Sequence, residues 1–258
     1  MADKAGAAAD RAARELARIE RVLIEQIKKL TAKLDTRQGE LVSDREARAN
    51  ASKIRGQIVR ALEEKGLQSI AKEADRAALE AAEAVAKEID FGEFDPDIAR
   101  EIEQIINGQM QEVADSFAKG ADEIGEAVRI GVARGDDLQS LIEDVSQKIG
   151  ATFAQAQSAV DSAIMGASRK VRIVDAEDMQ ESAGERIVMV YVGPDDKKTR
   201  PFCKEYVGKG VYLDDLPKLD NGTDLPADVF CGGYNCRHGW ASLTESIAVS
   251  RGIEIVEV

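Results

Sequence analysis

All three cysteines of this chain and its only histidine lie within 36 residues near the C-terminal end. They are Cys203, Cys231, Cys236 and His238. Three thiolates and one imidazole form the complete donor set of a closed tetrahedral zinc site, which leaves no position for water and acts as a crosslink. We therefore predict a structural zinc ion bound by these four residues, although thiolate ligands also suit iron.

The spacing of the four residues agrees with a metal site. Gly232-Gly233 allows the chain between Cys231 and Cys236 to turn around an ion. Cys236 and His238 are two residues apart, so both face the same side of an extended segment. Cys203 comes from a separate loop, and a metal that closes this loop would order a segment too small to build its own core.

Two other interpretations of the same residues stay open. Cys203 and Cys231 can be ordinary buried thiols, with the His238 ring bonded to the backbone. Alternatively, Cys231 and Cys236 form a disulfide after release into an oxidising medium. The odd number of cysteines argues against a framework of disulfides alone. We favour the zinc site over both, and Cys231 is the ligand with the least support.

A catalytic zinc would need an open coordination position and a carboxylate base. A position opens if only Cys203, Cys236 and His238 bind the ion. The carboxylates nearest to them in sequence are Asp195, Asp196, Asp214 and Asp215. A single histidine leaves no triad and no proton shuttle, and the chain lacks a glycine-rich phosphate loop. We therefore predict that the protein is not an enzyme, with a metal-dependent hydrolase as the alternative.

Polar and aromatic residues flank the predicted site. Asp195, Asp196 and Arg200 are typical of a polar turn, in which an aspartate accepts backbone N–H groups and Arg200 braces a carboxylate. Tyr234 and Trp240 are aromatic rings beside a metal-binding loop. We expect these rings to cover the loop rather than to stack on nucleic-acid bases.

The elements that must position this site fall into two compositional regimes, which meet near residue 186. One of the five prolines precedes this point, and seven of the eleven aromatic residues follow it. We predict a mainly α fold, in which extended amphipathic helices precede a small α+β, zinc-stapled C-terminal module. The predicted domains are an N-terminal helical arm over 1–94, a helical domain over 95–183, and a loop-rich, strand-containing module over 184–258. A coiled coil is one form that the N-terminal arm could take.

Apolar periodicity and capping signals place the first helices. Leucines recur every seven residues over Leu16–Leu30, which predicts a helix from about Ala8 to Leu34. Ser43 and Glu46 have the spacing of a capping box. The helix that starts there is predicted to continue through the alanine-rich stretch Ala71–Ile89, with a bend at Gly66.

The next helix is predicted to start at Pro96, with Asp95 as its N-cap. Its apolar stripe runs over Ile98–Phe117. Glycines are then expected to divide the chain into shorter helices. These glycines are Gly120, Gly131 and Gly135. Further helices are predicted after a cap at Asp136-Asp137 and from about Thr152 to Met179.

The helical pattern stops after Gly184. Ile187–Val192 is β-branched and almost entirely apolar, which predicts a buried strand that ends at Gly193-Pro194. Ile253–Val256 predicts a second strand. We expect these two strands to pair and to bracket the C-terminal module.

Charge limits the choice of partners. The chain has 48 acidic and 35 basic side chains and a net charge of −13, which repels the phosphate backbone and argues against non-specific duplex binding as its main task. We also expect no sequence-specific nucleic-acid partner. Residues 1–72 are weakly basic and could contact nucleic acid or an acidic partner. We favour a solvated helix face with mixed charges over such a contact. No apolar run approaches the roughly 18 residues needed to cross a bilayer. No apolar leader is present at the N-terminus, so we expect a protein made in a reducing cytoplasm without membrane contact.

Four sequence blocks resemble the C-terminal signature of phage head-morphogenesis proteins, the minor head proteins of tailed and Mu-like bacteriophages. The blocks are Tyr191–Asp196, Thr199–Cys203, Gly208-Lys209 and Gly232–Trp240. Members of this family have a helical N-terminal part and end in an Asp-x-x-Thr-Arg segment followed by a Cys-Arg-Cys or Cys-Arg-His segment. The helical stretch Gly135–Val171 is also similar to the family, and the resemblance covers roughly residues 120–245. Cys231 departs from the pattern, because many relatives have another residue there.

The resemblance implies a structural virion protein near the portal or neck, which acts in head assembly or genome delivery. It implies portal, capsid or neck proteins and further copies of this chain as partners. The protein would be made in the cytoplasm of the bacterial host and reside in the virion. It implies no established enzymatic activity. Besides the hydrolase, a membrane-active ejection protein, whose alanine-rich helices insert during DNA delivery, is an alternative.

Overall fold

The computed structural model describes residues 4–91 and 96–258. The helices are α1 (Lys4–Thr31), α2 (Arg45–Ala61), α3 (Gln68–Glu88), α4 (Pro96–Arg134), α5 (Leu138–Ala183), α6 (Pro201–Tyr206), α7 (Ala227–Phe230) and α8 (Glu245–Ser250). The strands are β1 (Thr36–Arg37), β2 (Glu40–Leu41), β3 (Ile187–Val192), β4 (Gly210–Tyr212), β5 (Gly239–Thr244) and β6 (Ile255–Val256). The chain is 71% helical with a small C-terminal sheet, which confirms the predicted mainly α fold. No described helix is long and apolar enough to cross a membrane.

The described residues form two compact units, each built from discontinuous segments. The first unit contains residues up to Ala9, Arg76–Gly108 and Asp161–Val258, and the second contains Asp10–Asp75 and Gln109–Val160. Helices α1, α3, α4 and α5 each contribute residues to both units. The division into 1–94, 95–183 and 184–258 stays a prediction.

In the second unit, α4 runs on through Gly120 and Gly131, two of the glycines that we expect from sequence to end helices. A Cβ atom added at Gly120 would lie 2.2 Å from Thr152 Oγ1, and one added at Gly131 would lie 3.3 Å from Leu141. The missing side chains therefore make room for a neighbouring helix, and the predicted division at these positions is wrong. Only Gly135, with φ +75°, ends α4 as predicted.

Thr152 shows why the prediction of separate helices before and after residue 150 is also wrong. Its hydroxyl donates to Lys148 O at 3.0 Å, a bond that a threonine inside a helix makes to the preceding turn. Helix α5 is therefore continuous over 46 residues. A signal typical of a helix start is used here inside a helix.

The helix ends correct several capping predictions. The N-cap of α2 is Asp44, whose carboxylate accepts from the N–H groups of Glu46 and Ala47, so the capping box that starts at Ser43 is wrong. Asp137 accepts from Ser140 N at 2.8 Å at the start of α5. The predicted cap Asp95 lies outside the described residues. The first helix ends three residues before Leu34, and Gly66 lies in a π-helical segment, Leu62–Leu67, between α2 and α3.

The C-terminal sheet belongs to the first unit and has the strand order β5-β3-β4-β6. Strand β3 has the predicted bounds and pairs antiparallel with β5 and β4. The terminal strand β6 pairs in parallel with β4, so the predicted pairing of the two strands is wrong. Because β4 and β5 occupy both edges of β3, no edge is left for β6.

Both faces of β3 are buried. On one face, Ile187, Met189 and Tyr191 pack into a core that includes Ile173 of α5, and on the other face Val188 and Val190 pack with residues of α8 and β6. Burial on both faces explains the continuous apolar run in this strand. The core on the first face contains Cys203, Cys231 and Cys236, three of the four predicted metal ligands.

Substitution of glycines in α4 tests the packing of the second unit. Gly120→Ala should lower the free energy of unfolding by about 1–3 kcal/mol, because the new methyl group overlaps Thr152. Gly108→Ala is the control in the same helix. Nothing lies within 4 Å of its Cβ position, so alanine should raise the stability by up to about 1 kcal/mol. Urea unfolding measures both values, and stabilisation by Gly120→Ala would contradict close packing at this residue.

Candidate metal centre

Three of the four predicted ligands come together in the first unit. Cys203 lies on α6, and Cys236 and His238 lie in the loop between α7 and β5. The two Sγ atoms are 3.6 Å apart, and Cys236 Sγ is 3.6 Å from His238 Nδ1. All three ligand atoms lie within 4.8 Å of one another, and all three residues are buried. The arrangement forms a cluster that can hold a metal ion.

The two distances of 3.6 Å fit a tetrahedral ion. Zinc bonds of about 2.3 Å to sulfur and about 2.0 Å to nitrogen place tetrahedral ligands roughly 3.5–3.8 Å apart. Gly232 supplies space beside the cluster, since a Cβ atom there would lie 2.4 Å from Cys203 Sγ and 3.4 Å from Cys236 Sγ. The donor set suits a structural zinc, and so does the close approach of the Gly232 backbone to the two sulfurs.

A backbone hydrogen bond orients the His238 ring. Its Nε2 lies 2.9 Å from Pro194 O, which can only accept, so Nε2 carries the proton and donates. Nδ1, which lies near the sulfurs, therefore keeps a free lone pair for a metal. The ring also stacks on Tyr191, with centroids 5.2 Å apart and planes 2° apart. A histidine bonded to the backbone, one of the alternatives from sequence, is thus also suited to bind a metal.

Hydrogen bonds stabilise the thiolate of Cys236. The Cys231 thiol and the N–H groups of His238 and Gly232 donate to it, and together they lower the pKa of Cys236 to about 3. The Gly232 nitrogen lies 3.3 Å from Cys236 Sγ. Burial raises the pKa of Cys203, and burial also raises that of Cys231. The site therefore contains one sulfur already stabilised as the anion that a metal requires.

Tyr191 is the residue at the centre of the site that sequence reasoning missed. Its hydroxyl lies 3.3 Å from Cys203 Sγ and 3.6 Å from Cys236 Sγ. Burial raises the pKa of Tyr191 far above its usual range, so the phenol stays protonated and donates to the sulfurs. It is in the strand predicted from its apolar run, but no spacing rule connects a strand tyrosine with cysteines 12 and 45 residues away.

Cys231 is fully buried at the end of α7, where its φ is +56°. It contacts Cys236 by the hydrogen bond described above but lies outside the group of three mutually close ligand atoms. None of the three cysteines is in a disulfide. The role of Cys231 as the fourth ligand stays a prediction.

Arg169 of α5 ties the loop that carries Cys236 and His238 to the helix. Its side chain is buried and donates to His238 O at 2.7 and 3.0 Å, to Val229 O at 3.3 Å and to Cys236 O. The backbone carbonyls at the two ends of the Cys236–His238 segment therefore both have a hydrogen-bond donor. The guanidinium also places a positive charge near the sulfurs, where it favours the thiolate of Cys231.

The predicted polar turn is present, with different partners. Asp196 accepts from Lys198 N at 2.8 Å, and Thr199 Oγ1 donates to Pro194 O at 3.0 Å. Both Asp196 oxygens pair with Arg237 at 2.7 and 2.8 Å, which lowers the pKa of Asp196. The turn therefore fixes the carbonyl that orients His238.

Among the described residues, Arg200 braces backbone carbonyls instead of a carboxylate, so this detail of the predicted turn is wrong. It donates to Gly232 O at 2.6 Å and to Tyr234 O, and so holds the glycine loop beside Cys203. A guanidinium has five donors, which suits several backbone carbonyls of one loop. The predicted cover is partly present, because the Trp240 ring is buried against Tyr191 with centroids 4.6 Å apart.

Two of the other aspartates considered for catalysis, Asp214 and Asp215, are engaged elsewhere in the first unit. Asp215 pairs with Lys218 at 2.6 Å and with Arg186 at 3.9 Å, and Asp214 accepts from Gln180 at 3.2 Å. The cluster of possible ligand atoms contains neither carboxylate. The structure therefore brings the thiols and the imidazole together without these aspartates.

Comparison with protein-family models, with curated proteins and with solved structures finds no match to this chain.

Replacement of the buried arginine tests its role. Arg169→Met should lower the free energy of unfolding by about 3 kcal/mol or more, because it leaves buried carbonyl groups without donors. The control is Arg100→Met, which removes an exposed ion pair to Asp97 at 2.8 Å on α4 and should change stability by less than about 1 kcal/mol. Urea unfolding of both variants measures the difference, and equal effects would contradict a bracing role for Arg169.

Proposed function

We propose that this chain is a structural component of a tailed-phage particle, a minor head or neck protein near the portal that acts in head assembly or genome delivery. Its C-terminal module would be rigid because a structural zinc joins Cys203, Cys236 and His238, with Cys231 as the fourth ligand. The observation that carries this proposal is that residues of the phage-like blocks surround one buried metal-type cluster. When bound, zinc supplies a crosslink between segments distant in sequence.

The roles of the block residues support a structural site. Thr199 and Asp196 form the turn that presents the Pro194 carbonyl to His238, and Arg200 holds the glycine loop. Arg237 locks the turn through Asp196. Each of these side chains makes a hydrogen bond to another group of the protein. Such an arrangement favours a rigid scaffold over a reaction centre, which needs groups free to exchange partners with a substrate.

Burial of the cluster supports the same conclusion. Cys203, Cys236 and His238 are only 1%, 6% and 3% exposed, so the ligands are shielded from bulk water. A hydrolytic zinc instead presents one position to water and substrate. We therefore propose a non-catalytic protein whose module docks onto portal, capsid or neck proteins and onto further copies of itself. The host cytoplasm would be the place of synthesis and the virion the final location.

Metal content is the first test of this proposal. Protein purified without chelator should contain about one zinc ion per chain by elemental analysis, and Cys236→Ser or His238→Ala should abolish binding. Removal of the ion should unfold the module, visible in the emission of the single tryptophan, Trp240. Gly239→Ala is the matched control for the loop, because nothing lies within 4 Å of its Cβ position. Native protein without metal that keeps its fold in strong chelator would overturn the zinc assignment.

Location in the particle is the second test. Mass spectrometry of purified phage particles from cells that express this chain should detect it after washes that remove loosely bound protein. The Cys236→Ser variant should be depleted from particles, because its docking module is not held rigid. Exposed Lys119→Ser on α4 serves as the control and should be incorporated normally. Recovery of the wild-type chain only in the particle-free fraction would contradict a virion role.

A further inference from the structure

A groove of about 360 Å³ lies in the first unit beside the metal centre. It is lined by residues of α3 and α5 on one side and by the end of β3 and the start of β5 on the other. Its lining includes His238, Arg169 and Arg237 of the metal centre, but Arg172 and the edge of β5 have no role in the metal-centre proposal. Its lining combines charged donors with the edge of a sheet, and these two features together indicate what it binds.

Three arginines line the groove. They are Arg169, which already donates to backbone carbonyls, Arg237, which already pairs with Asp196, and Arg172. The lining contains no aspartate or glutamate. This is unusual in a chain with a net charge of −13. Arg172 pairs with Glu88 at 3.9 Å and also interacts with Asp175. Its side chain is 37% exposed, so it can bind a further carboxylate.

The indole of Trp240 provides a second, independent observation. Trp240 lines the groove and is 2% exposed, and its Nε1 atom has no hydrogen-bond partner within the part of the chain that the structure describes. A buried donor without an acceptor costs about 1–3 kcal/mol. An acceptor brought by a ligand would remove that penalty.

The edge of β5 offers backbone groups to the same groove. The N–H of Tyr191 donates to Lys209 O, and its C=O accepts from Gly208 N, so both groups point away from β5. Trp240, which lies opposite Tyr191 on β5, therefore makes no backbone hydrogen bond to it. By alternation, the N–H and C=O groups of Trp240 and Ser242 face away from β3. Strand β5 has no second strand neighbour among residues 4–91 and 96–258. This edge can therefore accept an added strand.

We propose that the groove binds an extended, acidic segment of a protein partner. Its backbone adds to β5 as a further strand, and an acidic side chain is held by Arg172 and the indole N–H of Trp240. A free backbone edge favours a peptide over a nucleic acid, whose phosphates have no use for alternating N–H and C=O groups. This inference deepens the proposed docking role of the module and rests on it, and it assigns the partner's chemistry.

Trp240 is the only tryptophan, so its emission reports directly on the groove. The probe is a blocked hexapeptide that alternates valine with glutamate, titrated into the full zinc-loaded protein, with a valine–glutamine peptide as its neutral counterpart. The acidic peptide should shift the emission with saturation, and the neutral peptide should bind at least about tenfold more weakly. Arg172→Gln should also weaken binding of the acidic peptide about tenfold. The control Arg129→Gln, on an exposed face of α4 in the second unit, should bind like wild type.

A backbone variant separates strand addition from simple charge attraction. Ser242→Pro removes the outward N–H of an edge strand, a position where proline is tolerated, and should abolish binding. Ser242→Ala keeps that N–H and should bind normally. Zinc content and urea unfolding of each variant show that the module is intact, so loss of binding by a misfolded variant is recognised.

Several outcomes overturn the proposal. These are equal binding of both peptides, unchanged binding by Ser242→Pro, and no emission change with any probe. Tighter binding of oligothymidylate than of the acidic peptide would instead assign the groove to nucleic acid and reject a protein segment. If peptide binding holds while the chain is absent from phage particles, the groove assignment stands and the virion role fails.

Discussion

The hydrogen bond from His238 Nε2 to Pro194 O is the interaction on which the C-terminal module depends. It fixes which ring nitrogen carries the proton, and so leaves Nδ1 as the lone pair beside the sulfurs of Cys203 and Cys236. The turn around Thr199 holds that carbonyl in place, because Thr199 Oγ1 donates to Pro194 O. Without this orientation the three ligands would be neighbours but would not form a coordinating set.

A long helix completes the site from outside the module. Helix α5 carries Arg169, whose donors reach the carbonyls of Val229, Cys236 and His238. Close approach of the loop to this helix is possible because Gly166 has no side chain. A Cβ atom there would lie 3.1 Å from the Phe230 ring. The position of the loop that carries Cys236 and His238 therefore depends on helix packing as well as on the contacts within the Cys/His cluster.

Small residues also determine how the long helices are built. A glycine breaks a helix when its φ is positive, as at Gly135, and serves as a contact point when a neighbouring side chain occupies its empty Cβ position, as at Gly120. The two cases have the same residue type and similar local sequence. Sequence reasoning treated both as breaks and so divided α4, because the neighbour that decides between them, Thr152, lies 32 residues away.

The sequence by itself determined the mainly α class, strand β3 and the cluster of cysteines with histidine, because periodicity and residue type are local properties. Only the tertiary structure decided the strand order, the closeness of Cys203 to Cys236 and His238, and the contributions of Tyr191 and Arg169. Those features join residues that are 12 to 69 positions apart. No local pattern encodes such pairs, since they arise from the packing of β3 and α5 around one core.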